Sequence, residues 1–160
     1  MKIISKVPIR IAFGCQKRVG KDTACQHLQT LYGGKILHFS DDIYKIMKHA
    51  YETIGIDYEK DREFLRFVGQ WARDKQEDVW IKSLMNKIND DENIFVGDVR
   101  LPNEFNTLRK NGFTMVRIIR QDNNVVDDHI TETALVDAEW DHVIYNDKLT
   151  NFLNQIEIIV

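Results

Sequence analysis

The sequence predicts an α/β fold, a five-stranded and mainly parallel sheet with helices on both faces. Two observations point to it. Short apolar runs of strand length, rich in Ile, Val and Phe, recur at residues 9–13, 36–39, 94–97, 115–119 and 143–145. Helical stretches separate or follow them at 21–32, 41–55, 61–88, 103–111 and from Thr150 onward, where Phe152, Leu153, Ile156 and Ile159 fall at helical spacing. Strands alternating with helices make parallel sheets whose crossovers cover both faces, and such sheets collect their ligands at the carboxyl ends of the strands.

The bulk properties narrow the class further. A chain of 160 residues is the size of one domain and buries roughly two-thirds of its unfolded surface on folding. We therefore expect a single domain over residues 1–160, with a helical segment at about 41–90. Hydrophobic residues make up 43% and charged residues 29%, and only two prolines and eight glycines occur, which leaves little material for a disordered linker. The net charge of -3, with both signs interspersed, argues against a nucleic-acid polymer or an anionic membrane as partner. Cys15 and Cys25 form neither a disulfide framework nor a metal quartet, and read as small semi-buried residues of a reducing compartment. The first residues lack the apolar core of a signal peptide, and no apolar run approaches the roughly 18 residues of a membrane span, so a cytoplasmic location is expected. Oligomeric state is not set by the sequence, which allows a homodimer.

The first strand leads into Gly14-Cys-Gln-Lys-Arg-Val-Gly-Lys-Asp-Thr23. A basic, glycine-containing turn between a strand and a helix is the context of a phosphate-binding P-loop. Such a loop turns successive backbone N–H groups toward one point and adds the positive end of a helix dipole, so it holds phosphate with few side chains. Gln16, Lys17, Arg18, Val19, Gly20, Lys21, Asp22 and Thr23 are the donor-binding candidates. Lys21 would reach the outer phosphates, and the absence of any acid among residues 14–21 favours an anion as occupant. A turn that merely begins a helix is the plainer alternative. Two departures from the usual pattern stand out: Asp22 precedes Thr23 where Ser or Thr normally follows the lysine, and Cys15 occupies the first glycine position. Either Asp22 or Thr23 would meet magnesium.

Lys17-Arg-Val-Gly-Lys-Asp-Thr23 closely resembles the Lys-Arg-Ser-Gly-Lys-Asp-Thr loop of the deoxynucleoside monophosphate kinases of bacteriophages and related viral enzymes. Three further blocks are similar to the same family and stand in its order. They are Asp61-Arg-Glu-Phe-Leu-Arg-Phe-Val-Gly-Gln-Trp-Ala-Arg73 with Asp78-Val-Trp-Ile81, Val96-Gly-Asp-Val-Arg-Leu-Pro-Asn-Glu104, and His129-Ile-Thr-Glu132. The resemblance, over about residues 9–156, implies a P-loop kinase fold. It also implies transfer of the terminal phosphate of ATP to a deoxynucleoside monophosphate, with magnesium as cofactor.

Phosphoryl transfer needs two phosphates held in line and the moving charge compensated. Lys21 is the first candidate for that compensation. Asp98, at the end of the third strand, is a candidate for holding magnesium together with Thr23, and capping of the next turn is its simpler account. Arg100 lies at the same edge, where the resemblance implies a phosphate contact. Pro102 would start the next helix, and Glu104 in its first turn is either a substrate contact or a helix-dipole partner.

On the acceptor side, Arg62, Arg66, Gln70 and Arg73 share an arc of about 80° on one helix. Phe64, Leu65, Phe67, Val68, Trp71 and Ala72 are expected to fill the opposite, buried side. The arginines suit a monophosphate and the Gln70 amide a base edge; a solvated arginine face is the alternative. Trp80 is a stacking candidate with core packing as its simpler account. Ser40 and Asp41 follow the second strand and are either substrate contacts, as the resemblance implies, or a helix cap. Arg120 precedes a polar stretch that would form a lid loop at about 120–131, closing over ATP to exclude water. His129 and Glu132 would sit where that loop returns. A P-loop kinase of another small phosphorylated acceptor, such as phosphomevalonate, is the nearest enzyme alternative. A nucleotide-binding module without transfer activity is the alternative of a different class.

Overall fold

The computed structural model describes residues 7–121 and 133–160. His129, Glu132 and nearly all of the expected lid loop lie outside the described residues. The chain divides into two compact units, one of residues 1–37 with 88–160, the other of residues 38–87.

The first unit holds the sheet: β1 (Arg10–Gly14), β2 (Lys35–Leu37), β3 (Ile94–Val99), β4 (Thr114–Ile119) and β5 (His142–Tyr145). Strand order is β2-β3-β1-β4-β5 and every pairing among them is parallel. The predicted five-stranded α/β fold is therefore present. Its helices are α1 (Lys21–Tyr32), α5 (Pro102–Lys110) and α6 (Leu149–Ile158). Residues alternate across each strand, so Ile11, Phe13, Val116 and Ile118 join Phe95 and Ile144 in a core with Ala24, Cys25 and Leu28 of α1 and Phe152 and Ile156 of α6. Each fully buried phenylalanine here (Phe13, Phe95, Phe152) contributes about 1.5–3 kcal/mol by leaving water. The same alternation sends Ala12, Gly14, Met115 and Arg117 to the other face. There α5 supplies the buried Phe105 and Leu108.

β3 differs from expectation in a way that matters. It runs to Val99 rather than ending at Gly97, and its pairing with β1 steps from Ala12↔Val96 to Gly14↔Val99. Three steps on β3 oppose two on β1, so residues 97–98 form a bulge. A bulge bends a strand and re-aims its side chains, and no hydrophobic pattern announces it.

The second unit consists of α2 (Asp41–Ile54), α3 (Arg62–Lys75) and α4 (Val79–Met85). The single helix expected over 61–88 is thus two. Its break lies at Gln76-Glu-Asp78, where the apolar rhythm lapses. Gln76 turns extended while its N–H still donates to the Ala72 carbonyl, and its side-chain amide donates to Asp78 Oδ1 at 3.1 Å. Asp78 pairs one turn on with Lys82 at 3.0 Å. At the other end Asp61 caps α3, accepting from the Phe64 N–H at 2.9 Å and the Tyr51 hydroxyl at 3.0 Å. Ile43, Val68, Ala72 and Trp80 form the core of this unit, with Phe64, Leu65 and Val79 against it. Asp42 ties α2 to the residues around α4 by accepting from Ser83, from Lys87 at 2.7 Å and from Lys45 at 3.1 Å. Partial burial pushes the Asp42 carboxyl up, but these donors outweigh it and hold the pKa at about 2. No helix among the described residues is long and apolar enough to cross a membrane.

Candidate functional site

The turn after β1 has the geometry of an anion-binding loop. Cys15 and Arg18 are the two described non-glycine residues with positive φ, at 79° and 60°, and Gly20 follows at 105°. Left-handed residues interleaved with ordinary ones turn the backbone N–H groups inward. Cys15, at the first glycine position by sequence, therefore has the backbone conformation that glycine usually supplies. Its N–H donates to the Val99 carbonyl at 3.2 Å, anchoring the loop to the end of β3.

Two glycines are required here for space. A Cβ on Gly14 would lie 2.5 Å from Trp140 Cη2 and 2.7 Å from the Val99 carbonyl oxygen. A Cβ on Gly20 would lie 2.6 Å from Asn146 Nδ2. Asn146 donates to the Val19 carbonyl at 2.9 Å, so the far end of the loop is held from just beyond β5. Neither Trp140 nor Asn146 is among the sequence-derived candidates. The adjacency of Asn146 to the end of β5, at the ligand-binding edge of a parallel sheet, is the signal that could have found it.

Lys21 opens α1 and is buried, 7% exposed. Its ammonium donates to the Gln16 carbonyl and to the Cys15 carbonyl at 3.2 Å, inside the turn that it is expected to serve. Asp22 and Thr23 are exposed on the first turn of α1, Gln16 and Arg18 are exposed in the loop, and Lys17 is half-buried. Burial above all, and then the negative charges of Asp22 and Asp98, push the Cys25 thiol far up, against the opposing charge of Lys21. Cys25 is accordingly an inert buried thiol, and its surroundings show that Lys21, Asp22 and Asp98 act on one neighbourhood. Hard oxygen donors from Asp98, Asp22 and the Thr23 hydroxyl suit magnesium, which takes few protein ligands and keeps several waters. No group of three or more His, Cys, Asp or Glu residues is assembled among the described residues.

Arg100 and Glu104 follow β3. The Glu104 carboxylate, 6% exposed, accepts from the N–H groups of Arg100 at 2.8 Å and Leu101 at 3.0 Å, forming the capping turn of α5. Glu104 thus fixes the turn that carries Arg100. Arg120 directly follows β4 and is exposed.

In the helical unit, Arg62, Arg66 and Gln70 of α3 are exposed and Arg73 is half-buried. Gln70 donates to Asp74 at 2.8 Å and accepts from Arg73 at 3.4 Å, so its amide belongs to a chain along the helix. Trp80 is 7% exposed and its indole N–H donates to the Gly69 carbonyl at 3.0 Å. Its ring faces are committed to the core, which corrects its assignment as a stacking residue. Phe67 and Trp71 correct the expectation in the other direction, being 67% and 54% exposed. At 100° per residue they stand about 60° and about 100° beyond Gln70, off the buried side of α3, which is centred on Val68 and Ala72. Ser40 precedes α2 without a side-chain cap. Asp41 accepts from the His38 N–H at 2.9 Å, with the His38 ring at 3.4 Å. Burial raises the Asp41 pKa, but these His38 contacts prevail and lower it.

Among solved structures, a gluconokinase from Sinorhizobium meliloti 1021 superposes with a TM-score of 0.56 at 13% identity, over 94% of this chain and 90% of that one. That likeness shows that the two chains share a fold. At the level of sequence, the chain is 29% identical over 148 residues to "Uncharacterized protein ORF77" of Ictalurid herpesvirus 1 (strain Auburn), over 86% of this chain. It spans 64% of that protein's length. A model of the deoxynucleotide monophosphate kinase family matches residues 71–156. The match begins in α3, after the loop of residues 14–23, so the loop geometry stands beside it as a separate observation. On a match over more than half of its length, the chain belongs to the deoxynucleotide monophosphate kinase family.

Proposed function

We propose that the protein is a deoxynucleoside monophosphate kinase that moves the terminal phosphate of ATP onto a dNMP, giving dNDP and ADP. The loop of residues 14–23, with its left-handed turns at Cys15 and Arg18 and Lys21 folded into it, is the observation that carries this reading.

In this reaction an oxygen of the acceptor monophosphate attacks the γ-phosphorus, and the bond from that phosphorus to the β–γ bridging oxygen breaks. Backbone N–H groups of residues 16–23 hold the donor phosphates, and the Lys21 ammonium exchanges its carbonyl partners for phosphate oxygens. Thr23 and Asp98 would hold magnesium through their oxygens, and it would supply charge compensation on the donor phosphates. Arg100, its turn locked by Glu104, places a guanidinium at the transferring group. Arg120 lies over the donor and helps exclude water. On α3, Arg62, Arg66 and Arg73 bind the acceptor phosphate and Gln70 addresses the base, with Ser40 and Asp41 on the acceptor side. The exposed Phe67, three residues before Gln70 on the same helix surface, favours a nucleotide over a small acid, because an aromatic ring can stack on a base.

The test is an acceptor panel with ATP and magnesium. At least one of the four dNMPs should be converted to its diphosphate. Turnover of phosphomevalonate alone would reassign the acceptor. ATP binding without turnover of any acceptor would reduce the protein to a nucleotide-binding module.

A further inference from the structure

Trp140 has no part in the chemistry above, yet it is placed where the loop begins. It stands just before β5, and its ring is fixed by an edge-to-face contact with Phe105 of α5 (centroids 4.8 Å apart) and by an indole N–H donated to the Leu135 carbonyl at 3.2 Å. Ring atoms Cη2 and Cζ3 lie 2.5 and 3.1 Å from where a Gly14 Cβ would be, and the Val99 carbonyl closes in at 2.7 Å. The space on the side-chain side of Gly14 is thus filled by an indole ring and a strand carbonyl.

The next residue is Cys15 at φ 79°. A residue bearing a Cβ is disfavoured in that conformation and persists in it only where its surroundings over-determine it. The restraints are the Cys15 N–H on Val99, the Lys21 ammonium on the Cys15 carbonyl, and the Trp140 ring on Gly14. Once Lys21 turns to donor phosphates, Val99 and Trp140 remain.

We infer that Trp140 is a positioning residue: by filling the space over Gly14 it keeps the cysteine-bearing first turn of the loop in its left-handed, phosphate-binding shape. The inference rests on the reading of residues 14–23 as the donor site. It yields a coupling that plain packing would not produce. Glycine at position 15 takes positive φ without strain, so Cys15→Gly should make the loop nearly independent of Trp140.

The experiment measures binding of a fluorescent ATP analogue with magnesium to the wild type, Trp140→Leu, Cys15→Gly and the double variant. Trp140→Leu should weaken binding about tenfold with Cys15 present and less than about threefold with glycine there. Trp140→Phe, which keeps a ring against Gly14, should stay within about twofold of wild type. An equal loss in both backgrounds, or no loss in either, overturns the inference while leaving the donor site intact. Failure of the wild type to bind overturns the donor-site reading and this inference with it. If circular dichroism shows Trp140→Leu unfolded, Trp140→Met carries the same comparison.

Discussion

The phosphate loop and the arginine face of α3 are built in opposite ways. The loop works through backbone. Its shape comes from left-handed turns at Cys15, Arg18 and Gly20, anchored to Val99 at one end and to Asn146 at the other. The face of α3, as the proposed acceptor site, would work through long side chains on a regular helix, which packs on a small core around Val68, Ala72 and Trp80. A backbone site tolerates unusual residues provided that its anchors hold, as Cys15 shows. A side-chain site follows its sequence directly, and can change specificity without disturbing the fold.

That contrast can be broken or sharpened by substitution. The largest effect is expected for Trp80→Ala, which removes the central core residue of the helical unit and should cost about 3–5 kcal/mol in denaturant unfolding. Trp71→Ala, on an exposed ring, should stay within about 0.5 kcal/mol. Similar losses at both would mean that the two rings have been assigned the wrong way round. Lys21→Ala should lower kcat by about 10²–10³-fold, as removal of a preorganised charge on a reacting group does. It is the buried cation of the loop, Lys17 being half-buried and Arg18 exposed.

Arg66→Ala should raise the acceptor KM about tenfold and leave donor affinity unchanged. A rise in donor Kd instead would dissolve the division of labour between loop and helix. Cys15→Gly is expected to have the smallest effect, unchanged or slightly tighter donor binding with up to about 1 kcal/mol of added stability, read from thermal melts with and without ATP. A large loss of affinity would show that the side chain, not the backbone, matters there.

The elements legible in the sequence were those with a strong period or a local motif. All five strands, and the helices after the loop apart from the one expected over 61–88, fall within a few residues of expectation, because buried parallel strands read as short apolar runs. The loop's odd first position was also legible, since spacing from Lys21 places Cys15 where a left-handed residue is needed. Other features depend on contacts distant in sequence. The bulge at 97–98 is set by register against β1, and the break at 76–78 by which turn of helix reaches the Ile43 core. The clamps from Trp140 and Asn146 come from residues more than 120 positions away from the loop that they hold. Phe67 and Trp71 were misplaced because an apolar residue on a helix declares its character but not the width of the surface that covers it. Glu104 was ambiguous in sequence, and only the fold shows its carboxylate accepting from two backbone N–H groups before α5.

The central claim, transfer from the loop-bound donor to a nucleotide acceptor, is tested most directly by phosphorus NMR of the protein with ATP, magnesium and the dNMPs in turn. With at least one dNMP, the account predicts that the β-phosphate signals of dNDP and ADP will grow in equal amounts and that inorganic phosphate will stay near background. ATP consumed to inorganic phosphate with no dNDP from any of the four would contradict it.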